Sequence, residues 1–206
     1  MKSQIVLIRH GITTGNEMRL YYGSTDVPLA ERGAAELKKL AKEGVFPDSP
    51  DAQYFTSGML RAEQTFKIIY GDKPHEIIEN LRELDFGEFE MRTYEELNSI
   101  PEYQAWITAE DLSTPPPGGE SICQFNERIA LGFKELKVKN ELLMLKLRNQ
   151  GKEAMTICVC HGGAICGIMD QIWPDESMNF YEWIPSPGHG YILDVEDGAI
   201  TGRRKF

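Results

Sequence analysis

The chain has 206 residues, 41% hydrophobic and 26% charged, which suits a globular protein with one sizeable core and a small appended part. Its net charge of -10 and pI near 5.0 argue against nucleic acid as a partner, because counterion release needs clustered Lys and Arg. An anionic ligand must then be held by a local positive pocket rather than by the overall field. No stretch reads as a membrane span, and the apolar run at 5–8 is too short for the core of a signal peptide. The expected setting is the cytoplasm. The four cysteines, Cys123, Cys158, Cys160 and Cys166, are expected to be reduced.

In chain order, 4–8 reads as a buried strand stopped by charge and glycine. Helical spacing at Leu37, Leu40 and Ala41 predicts a helix within 29–43, ended by Gly44 and Pro47. A second strand is expected at 52–56. A helix is expected over 57–70, with Leu60, Phe66 and Ile69 in step and Gly71 as the stop. The aromatic segment 85–120, which ends in three prolines and two glycines, is expected to form a cap subdomain over one end of the core. A long helix over 121–149, a strand at 155–160, a helix at 164–172 and a strand at 191–195 follow, the last entering an Asp197-Gly198 turn. Alternating strands and helices predict a single α/β domain over 1–206. The expected form is a three-layer α/β/α sandwich around a largely parallel sheet, with a small cap or lid insertion.

Three strands end in unusual polar residues: Arg9-His10-Gly11, Thr56-Ser57-Gly58 with Arg61 one turn on, and His161-Gly162-Gly163. Ligands of open α/β sheets bind beyond the carboxyl ends of the strands, so Arg9, His10, Arg61 and His161 are expected to meet there. Cationic groups converging in an acidic protein need an anion between them, and phosphate fits guanidinium pairing best. The glycines let backbone N–H groups approach its oxygens.

These blocks carry a resemblance. Ile8-Arg9-His10-Gly11 with Thr13 and Asn16, Gly23, the DVPLAERG stretch at 26–33, Thr56-Ser57 with Arg61-Ala62 and Gln64-Thr65, Leu81-Arg82-Glu83 with Phe86-Gly87, the PGGES stretch at 117–121 and His161-Gly162-Gly163 resemble the histidine phosphatase superfamily, in the family's order. The resemblance implies a metal-independent phosphatase acting on a small phosphorylated metabolite without a cofactor. His10 would attack phosphorus, and Arg9, Arg61 and His161 would hold the phosphoryl group. Asn16 and the Gly162 N–H would add hydrogen bonds, Thr13 and Gly23 would lie at the substrate, and Glu83 would protonate the leaving oxygen and then activate water. A general acid of this kind supplies a factor on the order of 10²–10⁴. Tyr21-Tyr22 and Met91 depart from the family pattern at positions expected near the entrance, where a polar residue and a glycine are usual.

Other readings stay open. Glu79, Glu83, Asp85, Glu88 and Glu90 crowd together, and only spacing before Phe86-Gly87 singles out Glu83. Mutases of the family transfer phosphate between hydroxyls, but they generally carry an insertion that this compact chain lacks. A non-catalytic module binding phosphorylated partners is a third reading. His75 and His189 read as structural histidines. Cys158 and Cys160 share one strand face and lack a second ligand pair, so a metal site is not expected.

Overall fold

Lys2–Arg9 forms the central strand β1, whose side chains divide cleanly between two cores. Ile5 and Leu7 enter one, Val6 and Ile8 the other, as the twofold periodicity of a strand buried on both faces requires. The computed structural model describes residues 2–174 and 180–206. After β1 the chain forms α1 (Thr14–Glu17), β2 (Leu20–Tyr21), α2 (Glu31–Lys42), β3 (Gln53–Thr56), α3 (Leu60–Tyr70) and β4 (Glu76–Ile77). There follow β5 (Arg92–Thr93), α4 (Tyr94–Leu97), α5 (Pro101–Ile107), α6 (Ile122–Arg148), β6 (Ala154–Cys160), α7 (Gly162–Ile172), β7 (Gly190–Glu196) and β8 (Ala199–Lys205).

The main sheet runs in the order β4-β3-β6-β1-β7-β8. On one face α6 and α7 cover Ile5, Leu7, Phe55, Cys158, Cys160 and Leu193 with Phe125, Ile129, Leu136, Ile165 and Ile168. On the other, α3 covers Val6, Ile8, Tyr54, Ile157 and Val159 with Ala62, Phe66 and Tyr70. This is the expected three-layer α/β/α sandwich. A Ser121–Gln124 capping box starts α6: the Ser121 hydroxyl accepts from Gln124 N at 3.2 Å and the Gln124 amide oxygen accepts from Ser121 N at 2.9 Å.

The sheet is parallel over β4, β3, β6 and β1, and antiparallel where β7 meets β1 and β8. The expected last strand is therefore not the end of the sheet. Asp197 (φ 49°) and Gly198 (φ 81°) make a two-residue hairpin turn with both φ positive, returning the chain as β8. Arg203, Arg204 and Lys205 on β8 give it no apolar run, and β4 has only two exposed residues, so neither strand carries a periodic signal. Helix α7 starts at Gly162, two residues before its expected start, because tertiary packing overrides the weak helix propensity of Gly162-Gly163.

Residues of the 85–120 segment build a third core, Phe89, Leu97 and Tyr103, against Tyr21, Phe86, Ile100 and Trp106. The β2–β5 pair joins this core to the chain that follows β1. The Tyr103 hydroxyl hydrogen-bonds that of Tyr21 at 2.6 Å. Met91 sits at the bend before β5 with φ 60°, a left-handed conformation that disfavours a side chain, and its N–H donates to Tyr21 O at 2.7 Å. It does not line the cavity that Tyr21 and Tyr22 help to form. The left-handed conformation costs about 1–2 kcal/mol for a residue with a Cβ, part of which glycine would return through unfolded-state entropy. Met91→Gly is therefore expected to stabilise the protein by about 1 kcal/mol, read as a rise in urea midpoint at unchanged m-value.

Candidate active site

Strand register brings the sequence-predicted residues together. Arg9 pairs with Cys160 across β1–β6, and Thr56 pairs with Val159 across β3–β6. The next residue on each strand, His10, Ser57 and His161, therefore emerges at the same edge. His10 N donates to Cys160 O at 3.0 Å and Ser57 N to Val159 O at 3.2 Å, extending the ladder one step past the strands. The imidazoles of His10 and His161 lie edge to face, with centroids 5.3 Å apart.

Each ring is oriented by a neighbour. His10 Nδ1 lies 2.8 Å from the Gly11 carbonyl oxygen. A carbonyl can only accept, so Nδ1 carries the proton and Nε2 keeps its lone pair. His161 Nδ1 accepts from Arg61 Nε at 3.2 Å, which leaves the proton on Nε2, 2.7 Å from Ser57 Oγ. Both rings are buried. Burial first, then the Arg61 charge, holds both imidazoles well below the ordinary histidine pKa; the Arg9 charge acts in the same direction on each.

The Arg61 side chain is fully buried, yet its partners are neutral: His161, Gly23 O at 2.7 Å and Thr25 O at 3.1 Å. Its guanidinium also lies 5.1 Å from the centre of the Tyr22 ring. Arg9 donates from Nη1 to Pro185 O at 2.8 Å, while its Nε is buried without a partner. Among the described residues no carboxylate pairs with either arginine. Burial lowers the pKa of both, and the charge of Glu83 opposes it on each.

The two arginines and His10 line a cavity of about 530 Å³. Asn16, Tyr22, Glu83, Gly162 and Gly163 also reach it. Asn16 Oδ1 accepts from Thr13 N and Thr13 Oγ1, both at 3.0 Å, which leaves its NH₂ group for the cavity. Glu83 Oε2 accepts from Gly163 N at 2.9 Å, at the N-terminus of α7, and Oε1 accepts from Leu84 N at 3.0 Å. A Cβ on Gly163 would collide with that carboxylate, so the glycine is what lets the acid reach the helix end.

Thr13 and Gly23, expected at the substrate, do not line the cavity. Thr13 is buried as the N-cap of α1, and its hydroxyl meets Tyr22 Oη at 2.6 Å. Gly23 packs where any Cβ would overlap the Leu84 carbonyl oxygen, and acts through its own carbonyl on Arg61. Nothing in the sequence marks Pro185 as a partner of Arg9, whereas Tyr21, expected near the entrance, forms an aromatic wall of the cavity with Phe86 and Trp106. Gly163, the second glycine after His161, gives its N–H to Glu83. His75 pairs with Glu63 at 2.9 Å, and His189 Nδ1 lies 2.9 Å from Phe206 O, both away from the cavity. Cys158 and Cys160 are buried thiols, and the contact with Cys160, with burial, raises the pKa of Cys158. Among the described residues no three His, Cys, Asp or Glu side chains converge as a metal site.

His161 does not line the cavity: it lies buried behind His10, bonded to Ser57 and Arg61. Two arginines without a carboxylate partner, the neutral His10 imidazole and a helix N-terminus around one cavity define an enzyme built to handle a tetrahedral oxyanion. Residues 5–204 match the family model for the histidine phosphatase superfamily (branch 1), and the chain belongs to that superfamily. It is 32% identical over 199 residues to the adenosylcobalamin/alpha-ribazole phosphatase of Salmonella typhimurium, covering 95% of this chain and 92% of that protein. It is 30% identical over 173 residues to a 2,3-bisphosphoglycerate-dependent phosphoglycerate mutase of Rhizobium etli, covering 79% and 77%. The crystal structure of the alpha-ribazole phosphatase from Shigella flexneri superposes with a TM-score of 0.70 at 25% identity, covering 96% of this chain and 93% of that one.

The depressed histidines have a consequence for stability. Between the ordinary histidine pKa near 6.5 and their lower folded values, the unfolded chain binds protons that the folded chain refuses. Stability is therefore full above about pH 6.5 and falls as pH drops below it, by up to about 1.4 kcal/mol per pH unit per histidine. The melting midpoint should decline from pH 6.5 to 5.0 more steeply in wild type than in His161→Gln. Equal slopes would contradict the assignment of His161 as a buried neutral ring.

Proposed function

We propose that the protein hydrolyses phosphate monoesters in two steps through a phosphohistidine on His10. The observation that carries this reading is the 2.8 Å contact from His10 Nδ1 to Gly11 O, which leaves the Nε2 lone pair in a cavity lined by Arg9 and Arg61. In the first step His10 Nε2 forms a bond to phosphorus as the ester P–O bond breaks, and Glu83 gives a proton to the departing oxygen. In the second, the Glu83 carboxylate takes a proton from water, the water oxygen bonds to phosphorus and the P–N bond breaks. Arg9, Arg61, Asn16 and the Gly162 N–H neutralise or hydrogen-bond the equatorial oxygens, a task a metal performs in many other phosphoryl-transfer enzymes. His161 holds Arg61 in place by accepting from its Nε.

Hydrolysis rather than mutase transfer is supported by what surrounds the cradle. Beyond the phosphate end the cavity is walled by Tyr21, Phe86, Trp106, Ile107, Leu112 and Phe125, with Asp111 at its rim. Arg9 and Arg61 are the only arginine or lysine side chains among its described lining residues, so a carboxylate or second phosphate on the substrate has no counter-charge. Glu83 also borders a separate solvent cleft of about 700 Å³, which gives water a route to the acid/base. The favoured substrate is a monophosphate with an uncharged, apolar or aromatic alcohol portion. The α-ribazole phosphate of the relatives, a nucleoside monophosphate with an aromatic base, is of this kind.

Phosphate release and mutase turnover measured side by side test this directly. The expected kcat/KM for α-ribazole phosphate or aryl phosphates exceeds that for 3-phosphoglycerate by at least about tenfold, the worth of one unpaired buried charge or apolar contact. Dominant mutase turnover of 3-phosphoglycerate would overturn the choice. With p-nitrophenyl phosphate, His10→Ala should lose at least about a thousandfold in kcat. Chelators should leave wild-type activity unchanged, because side chains supply the charge; loss on adding EDTA with recovery on one metal would refute that.

A further inference from the structure

Glu83 lies in a stretch without regular secondary structure, between the short turn Glu79–Leu81 and the cap, so its backbone needs an external fixture. Arg128 of α6 supplies one. Its guanidinium has five N–H donors, and all five are placed. Nε donates to Glu120 Oε1 at 2.9 Å and Nη2 to Glu120 Oε2 at 2.7 Å, a two-pronged pairing with the carboxylate just before the helix. Nη1 donates to Asn80 O and Arg82 O, both at 3.0 Å, and Nη2 to Glu83 O at 3.2 Å.

One side chain thus grips the carbonyl of the acid/base itself and two carbonyls just before it. The pair is three-quarters or more buried, with 24% and 17% of the two side chains exposed. One turn along α6, Gly132 allows Leu81 and Asn80 to pack at distances a Cβ could not accept without displacement. Glu120 N also donates to Asp85 O at 2.9 Å, tying the far side of the Glu83 segment to the same loop.

We propose that Arg128 and Glu120 are positioning residues for the general acid/base, setting the reach of the Glu83 carboxyl through its backbone. This rests on the role proposed for Glu83. The Glu83 carboxyl has two fixed partners, Leu84 N and Gly163 N, and misplacement of a reacting group by about 1 Å can cost on the order of 10²-fold. Lysine at 128 keeps the charge but cannot span three carbonyls and a carboxylate, and glutamine at 120 keeps the shape but loses the charge.

Leaving-group dependence provides the test. p-Nitrophenolate departs readily without a proton, whereas an alkoxide does not. kcat/KM reports only events up to phosphoryl transfer to His10, so it isolates the acid step. Arg128→Lys and Glu120→Gln are expected to lower kcat/KM for an alkyl phosphate such as glycerol phosphate by about tenfold or more. For p-nitrophenyl phosphate they should stay within about threefold of wild type. In a Glu83→Gln background neither substitution should add to the loss. Equal losses on both substrates, or additive losses in that background, would overturn the proposal and leave Arg128 as a purely structural clamp. Should Arg128→Lys fail to fold, Glu120→Gln decides alone. If Glu83→Gln itself shows no discrimination between leaving groups, the role of Glu83 fails instead.

Discussion

Two guanidinium groups, Arg61 buried and Arg9 part-buried, with no carboxylate hydrogen-bonded to either, are the constraint around which the rest of this molecule is arranged. An uncompensated buried ion costs several kcal/mol even after relaxation. The fold tolerates Arg9 and Arg61 because backbone carbonyls of Gly23, Thr25 and Pro185 take part of their hydrogen bonds. What remains unsatisfied faces the cavity. A dianion entering there completes the bonding of groups already ordered, so little reorganisation is needed when charge develops during transfer. Burial first, then the charges of Arg61 and Arg9, keep His10 and His161 neutral, so the proposed phosphoryl cradle also helps to keep the adjacent imidazole a nucleophile.

The sheet makes this placement possible. Three neighbouring parallel strands, β3, β6 and β1, end at one edge in register, each followed by a polar residue, and His10 and Ser57 continue the ladder one step further. Helix α7 then starts directly from β6, so its first N–H groups point where the strands end. The Glu83 carboxylate arrives from the opposite side, held by Gly163 N and flanked by the cap. Charge therefore gathers at one end of the cavity, while Tyr21, Phe86 and Trp106 close the other with apolar surface.

Much of this was legible in the chain. Apolar runs stopped by Arg9-His10, Thr56-Ser57 and Cys160-His161 disclosed both the strands and the residues that meet at their ends, because a buried parallel strand has few other ways to finish. Thr13 and Gly23 do not line the cavity. A threonine ahead of a short polar stretch is equally suited to cap a helix, and a glycine can serve through its carbonyl as well as its N–H. Pro185 was invisible as a partner for Arg9, since 176 residues separate them and only the fold brings them together. β8 was missed because its exposed, charge-rich sequence has no buried face to report. Met91, by contrast, stood out in the sequence, and its φ of 60° supplies the reason: the backbone there suits a glycine.

A covalent bond between phosphorus and the His10 ring nitrogen can be trapped chemically. Glu83→Gln enzyme, slowed in the water step, would be mixed with a p-nitrophenyl phosphate substrate, quenched and mapped by mass spectrometry under alkaline conditions that preserve phosphoramidates. The expected result is a single acid-labile, base-stable phosphoryl group on His10. A phosphoryl group on another residue, or product formation with no phosphoenzyme on either a rapid-quench or a steady-state time scale, would contradict it.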